Sequence, residues 1–328
     1  MSQANIWIWL IAFGIVVALL VLDLGVFNRK AHRASLKESA GMTAIWVGFG
    51  LAFSVLVFFV YEKHWFGMGV QRGIPGEVTD GWKAVSLYIT GYFLEKALSI
   101  DNLFVFAMVF AGFRVLPEHQ HRVLFWGIVG AIATRAGMIF GGVWLLQKFE
   151  WLFYVFGGYL IFTGAKMLVP KKQEDPHAPQ ENWLVRQLSR VLPIAPEFSG
   201  ARFVVRFEGR RMFTKLFLVL IVVELTDVMF ALDSVPAVLA ITTDPFIVLT
   251  SNVFAILGLR SLYFVIAGAM DKFTYLSYAL SAILVFIGLK MVSHHFVHVP
   301  TLLSLGLILL FVTAAIVASA IKAKKKPA

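Results

Sequence analysis

Five carboxylates sit inside otherwise apolar stretches of this 328-residue chain. Glu95 and Asp101 fall in one stretch, and Glu224, Asp227 and Asp233 in another. A carboxylate at membrane depth costs on the order of several kcal/mol unless it is paired or hydrated, so such groups mark ion pathways, proton relays or internal salt bridges. Lys96, Asn102, Arg135, Ser234 and Arg260 stand in the same or neighbouring stretches. The donor set is oxygen: carboxylates, Asn102, Ser234 and whatever main-chain carbonyls the backbone frees. The chain has no cysteine, and its histidines lie outside the apolar stretches. Hard oxygen donors suit manganese(II), with calcium and magnesium as the runners-up, over copper or zinc. With all groups ionised, the five acids exceed Lys96, Arg135 and Arg260 by two charges, which one divalent cation would neutralise. The competing reading makes the acids structural glue for the bases. The excess of acids, and their repetition, favour a cation site.

That repetition runs through the chain. Glu95 and Asp101 are six positions apart and Asn102 follows; Asp227 and Asp233 are six apart and Ser234 follows. Downstream, Arg135 matches Arg260, Lys148-Phe149 matches Lys272-Phe273, and Phe162, Gly164, Lys166 and Met167 match Phe286, Gly288, Lys290 and Met291. Arg135 precedes Lys166 by 31 positions and Arg260 precedes Lys290 by 30. A series in one order at nearly constant spacing is an internal repeat.

The elements that must carry these residues are membrane helices. Residues of the apolar set make up 59% of the chain and charged residues 15%, with a mean hydropathy of +0.81. Soluble domains run nearer about 45–50% apolar and about 25% charged. Nine runs are long enough to span a bilayer: 5–27, 41–61, 82–110, 122–147, 151–169, 213–240, 246–269, 273–292 and 299–321. The pI near 9.8 does not signal nucleic acid, because the positive charge is confined to short connections. With the N-terminus outside, the cytoplasmic segments and their flanks hold 21 Lys and Arg, the outer side five and the apolar runs three. That bias follows the positive-inside rule and leaves the C-terminal lysines in the cytoplasm. The first run lacks a basic leader and is read as a retained helix.

The fold class expected is therefore an all-α polytopic membrane protein with about nine transmembrane helices. Its organisation reads as two N-terminal helices over 1–61, a three-helix repeat over 82–169, a cytoplasmic loop over 170–212, a second repeat over 213–292, and a last helix over 299–321 with a basic tail to 328. Each repeat has three spans, so the two are inverted, a recurring transporter design with a polar site at mid-depth. Six residues on a straight helix turn through about 240°, so the paired acids would not share a face. Pro236 and the cap-type pair Asp233-Ser234 predict a break near Ala231–Ser234, and Asp101-Asn102 predicts a similar one. Broken helices would free carbonyls toward a cation and bring both acidic motifs to one shared site. Within the loop, Arg202–Phe207 alternates partly before Glu208-Gly209, predicting a short hairpin.

The residues Leu94-Glu95-Lys96, Ser99-Ile100-Asp101-Asn102, Val223-Glu224-Leu225-Thr226-Asp227, Phe230 to Ala237, Thr242 to Ile247 and Ser251 to Arg260 resemble the TerC family of integral membrane proteins, its Alx branch above all. The resemblance covers nearly the whole chain and is weakest over 170–200 and at the termini. It implies a bacterial inner-membrane protein and manganese efflux, with Glu95, Asp101, Asn102, Glu224, Asp227 and Asp233 as metal-site residues and Ser234, Lys96, Arg135 and Arg260 in support. TerC relatives are also linked to tellurite resistance and to supplying metal to exported proteins.

Other features weigh less. His294, His295 and His298 near the outer surface, and Glu118, His119 and His121 in a cytoplasmic loop, read as solvated polar groups before they read as ion-gathering sites. Asp23 is as well explained by an interfacial role as by a functional one. No phosphate-binding loop and no Ser/His/Asp spacing is present, so neither ATP drive nor enzymatic chemistry is expected. No permanent cofactor and no nucleic-acid partner is expected; the partners are the bilayer and a divalent ion. The alternative function is a membrane scaffold or assembly factor whose intramembrane acids are structural.

Overall fold

The computed structural model describes residues 3–23, 36–69, 78, 80–149, 151–168, 193–194, 200, 202–207, 210–267, 275–293, 296 and 299–325. Among them are ten α-helices: α1 Gln3–Leu22, α2 Leu36–Glu62, α3 Gly81–Gly112, α4 Pro117–Lys148, α5 Leu152–Leu168, α6 Lys215–Leu239, α7 Pro245–Ile256, α8 Leu259–Ala267, α9 Leu276–Val292 and α10 Thr301–Lys325. The protein is an all-α polytopic membrane protein. Segments apolar on every face have no soluble side to present. In lipid only a helix satisfies each backbone N–H and C=O within one segment. Among the described residues, α2, α4 and α10 are each long and apolar enough to cross a membrane, and the bent pair α7–α8 is a fourth when taken as one span. Large apolar side chains such as Phe13, Val55, Trp144, Phe162, Leu302 and Leu310 lie exposed on the outer helices, as a lipid-facing surface requires.

Helix starts follow local chemistry. The Asp80 carboxylate accepts the Lys83 N–H at 2.8 Å to cap α3. Pro117 and Pro245 occupy the first turns of α4 and α7, where a missing N–H costs little. Asp244 caps α7 through the N–H groups of Phe246 and Ile247 and accepts the Tyr61 hydroxyl at 2.7 Å, tying α7 to α2. The hairpin forms as β1 Val204–Phe207 and β2 Arg210–Phe213, with Val204 opposite Phe213; its turn residues Glu208 and Gly209 lie outside the described residues. Thr214, the cap of α6, donates its hydroxyl to the Arg202 carbonyl at 2.7 Å and so fastens the hairpin to that helix.

The predicted helix breaks are corrected. Helix α3 runs unbroken through Asp101 and Asn102, and α6 through Ala231–Ser234. Pro236 lies three residues before the end of α6, so it removes one hydrogen bond near a terminus that frays in any case. The break falls instead in the 246–269 run, where α7 and α8 meet at 44°. Gly258 makes the corner at φ +80°, a conformation that disfavours a Cβ, and a Cβ there would also collide with the Trp46 ring.

Packing fixes relative directions. Gly127, Gly130 and Gly142 of α4 face Val223, Glu224 and Leu239 of α6, so the numbers rise together and the two helices run parallel. Helices α5 and α9 run antiparallel: Gly157 meets the Gly288 backbone, and Ser281 donates to the Gly164 carbonyl at 2.5 Å. A shift of 124 positions, the one that carries Phe162 to Phe286, carries Gly157 to Ser281 and Gly164 to Gly288. The first of these contacts thus maps onto the second.

Candidate functional site

Arg135, fully buried on α4, is the centre of the polar interior. Its Nη1 donates to Glu95 Oε1 on α3, to Ser234 Oγ on α6 at 3.1 Å and to Asn252 Oδ1 on α7 at 3.1 Å. Its Nη2 and Nε reach Asp227 Oδ1 and Oδ2 on α6 at 3.2 and 3.4 Å. Four helices therefore converge on one guanidinium. Glu95 is fully buried and Asp227 nearly so, two carboxylates on one guanidinium, which with both ionised is an excess of one negative charge. Ser99, one turn on from Glu95, donates to Glu95 Oε1 at 3.3 Å. Glu95 Oε2 and Asn252 Nδ2 are buried with no hydrogen-bond partner among the described residues.

The glycine stripe of α4 makes this approach possible. A Cβ on Gly130 would run into the Glu224 carboxylate, so the absence of a side chain there lets α6 bring its acids against α4. Thr134, beside Arg135, turns its hydroxyl back to the Gly130 carbonyl at 3.0 Å and adds nothing to the cluster.

Lys96, the neighbour of Glu95, reaches the end of α7 instead of Arg135. Its ammonium donates to the carbonyls of Ala255 at 3.0 Å and Leu257 at 3.4 Å. These oxygens lose their intrahelical donors where α7 ends, and a cation is a fitting cap for them. The α7–α8 corner is thus held from α3.

Of the residues singled out from the sequence, Glu95, Asp227, Ser234 and Arg135 meet. Among the described side chains the others make no bond to Arg135, although Glu224 lies close enough to Asp227 to feel its charge. Glu224 covers Gly130, and Asp233 faces Tyr159 and Thr163 of α5, on a different side of α6 from Asp227. Asn102 is buried further along α3. The side chain of Asp101 lies outside the described residues. Arg260 does not belong to the cluster: past the corner its Nη2 bonds Asp23 Oδ2 at 2.7 Å and the Asp23 carbonyl at 3.1 Å. The two acidic motifs do meet, through Glu95 and Asp227 on unbroken helices; Asp233 stays apart, because six residues of continuous α6 turn it away from Asp227. Among the described residues no three His, Asp or Glu side chains form a metal-ligating group. Glu118 and His119 lie 3.8 Å apart at the start of α4, while His294, His295 and His298 are outside the described residues.

Asn252 is the member that sequence reasoning missed. It was visible as a polar pair with Ser251 in the middle of an apolar run, but nothing in its spacing tied it to Glu95 or Asp227.

A family model described as "Integral membrane protein TerC family" matches residues 80–327. The chain is 48% identical over 326 residues to an uncharacterized membrane protein of Myxococcus xanthus, covering 99% of this chain and 95% of that one. It is 44% identical over 304 residues to a Salmonella typhi protein named "Putative membrane-bound redox modulator Alx", covering 92% and 90% of the two. A protein of the same name from Escherichia coli K12 is 43% identical over 298 residues, covering 90% and 89%. No solved structure matches the chain.

Proposed function

This chain belongs to the TerC family of integral membrane proteins, and from that premise we propose that it moves a divalent cation, manganese(II) first, out of the bacterial cytoplasm across the inner membrane. The observation that carries the reading is the Glu95–Arg135–Asp227 cluster, an oxygen-rich, net-negative centre buried where helices of both halves of the chain cross. Carboxylate, hydroxyl and amide oxygens are the donors that hard divalent cations take. Under this reading the protein is a carrier and not an enzyme, and a gradient drives it. The antiparallel crossing of α5 and α9, with contacts related by a shift of 124 positions, supports two inverted repeats. One repeat rocking against the other about a fixed central site gives alternating access.

The test is ion flux into proteoliposomes of the purified protein, with manganese, calcium and magnesium compared. Manganese should move into vesicles holding the wild-type chain in the export orientation. Glu95→Gln and Asp227→Asn, at equal abundance, should lose that flux. Wild-type vesicles no leakier to any of the three ions than empty liposomes would favour the scaffold reading and sink this one.

A further inference from the structure

We propose that Arg135 and the transported cation compete for one oxygen cradle, formed by Glu95, Asp227, Ser234 and Asn252, and that Asn252 is its neutral ligand. The inference rests on the transport reading above and says which oxygens the ion takes and what must leave first.

The geometry around Nη1 argues for a cradle rather than an ordinary salt bridge. A guanidinium has five N–H donors in a fixed plane, only two of them on Nη1. Three oxygens crowd that nitrogen: Glu95 Oε1, Ser234 Oγ and Asn252 Oδ1. Two hydrogens cannot give each of three acceptors its own, so the oxygens outnumber the donors that face them. A spherical cation has no such limit and takes six or more oxygens from any direction. Two further buried atoms lack partners among the described residues, Glu95 Oε2 and Asn252 Nδ2, each on a fully buried side chain. Of the two, Glu95 Oε2 is the acceptor, and an unpartnered buried oxygen is destabilising until a cation or another donor reaches it.

The cradle spans both halves of the chain. Glu95 comes from α3; Asp227 and Ser234 come from α6; Asn252 comes from α7; the competing charge comes from α4. Arg135 and a divalent ion cannot hold the same oxygens together, so loading the ion expels the guanidinium and pushes α4 from its neighbours. Asn252 matters here for its charge as much as for its oxygen. A third carboxylate at that place would hold the ion too tightly to release it, whereas an amide adds a ligand without adding charge.

The test is manganese binding to the purified full-length protein in nanodiscs, titrated with manganese chloride and read from loss of the free-ion electron paramagnetic resonance signal. Asn252→Leu, which keeps the volume and removes the oxygen, should weaken binding at least tenfold. Asn252→Asp should bind at least as tightly as wild type but turn over more slowly in vesicles. Arg135→Gln removes the competitor and should tighten binding about tenfold or more; where that variant does not fold, Arg135→Lys should tighten it less. Wild-type affinity in Asn252→Leu removes Asn252 from the cradle, and weaker binding in the arginine variants overturns the competition. Failure of the wild-type protein to bind manganese at all would instead sink the transport reading.

Discussion

Replacing Arg135 by glutamine should be the most destabilising change in the polar interior, and replacing Glu95 by glutamine one of the mildest. The structure dictates the asymmetry. Arg135 touches five oxygen atoms on four side chains, and its removal leaves two buried carboxylates facing each other without a counter-ion. Breaking a buried pair in this way costs about 3–5 kcal/mol, mostly from the charge left behind. Glu95→Gln removes one of two carboxylates, keeps an amide oxygen for Nη1 to bond, and leaves the guanidinium on Asp227, so its cost is about 1 kcal/mol. The double variant retains one unpaired carboxylate and should be more stable than Arg135→Gln by about 2 kcal/mol, a coupling expected of groups in one network. Tryptophan fluorescence during heating in detergent would report all three. At about 2 °C per kcal/mol, Arg135→Gln should melt roughly 6–10 °C below wild type. Manganese at a hundred times its dissociation constant should return about 2.7 kcal/mol of that loss. An Arg135→Gln protein that melts with the wild type, or a double variant less stable than it, would refute the reasoning, because either result means that the two carboxylates do not repel in the folded core.

Other consequences can be checked alongside it. Lys96→Met removes the cation that holds the Ala255 and Leu257 carbonyls; the expected loss is about 1.5–3 kcal/mol, with faster amide exchange confined to 257–267, and unchanged exchange there would show that the corner is held by packing alone. Gly288→Ala puts a Cβ 2.6 Å from the Gly157 carbonyl, whereas Gly158→Ala meets nothing. The first should destabilise by about 1–3 kcal/mol and the second should be neutral or stabilising by up to about 1 kcal/mol; equal melting temperatures would contradict the close α5–α9 crossing. In the cysteine-free background, Trp82→Cys should label from outside intact cells with an impermeant thiol reagent, and Arg210→Cys only after permeabilisation; the reverse pattern would invert the topology.

Much of the fold was legible in the sequence for a simple reason. A bilayer leaves an apolar segment almost no choice but to form a helix, so the nine apolar runs coincide with α1 to α6, the bent pair α7–α8, α9 and α10. Charge at membrane depth is equally legible, because a lone buried charge is too costly to be incidental. That marked Glu95, Asp227 and Arg135 before any contact was known. Local cues also carried to the hairpin, where partial alternation and a Glu-Gly turn predicted the strands.

What spacing could not say is which charges meet. Side-chain direction depends on how each helix is rotated about its axis, and that is settled by packing far along the chain. The glycine stripe of α4 sets the approach of α6, and the α3–α7 contact brings Asn252 to a guanidinium 117 positions away. The place of the helix break has the same origin. Pro236 removes a single donor near a helix end, and α6 continues through it. At Gly258 the chain turns at positive φ, and Lys96 arrives from another helix to take the carbonyls the corner frees. The bend then leaves Arg260 on Asp23, just past the end of α1, rather than among the central acids. A proline or a carboxylate can be read one residue at a time, but a break or a binding site persists only where a neighbouring element satisfies the polar groups it exposes, and only the tertiary structure decides which neighbour that is.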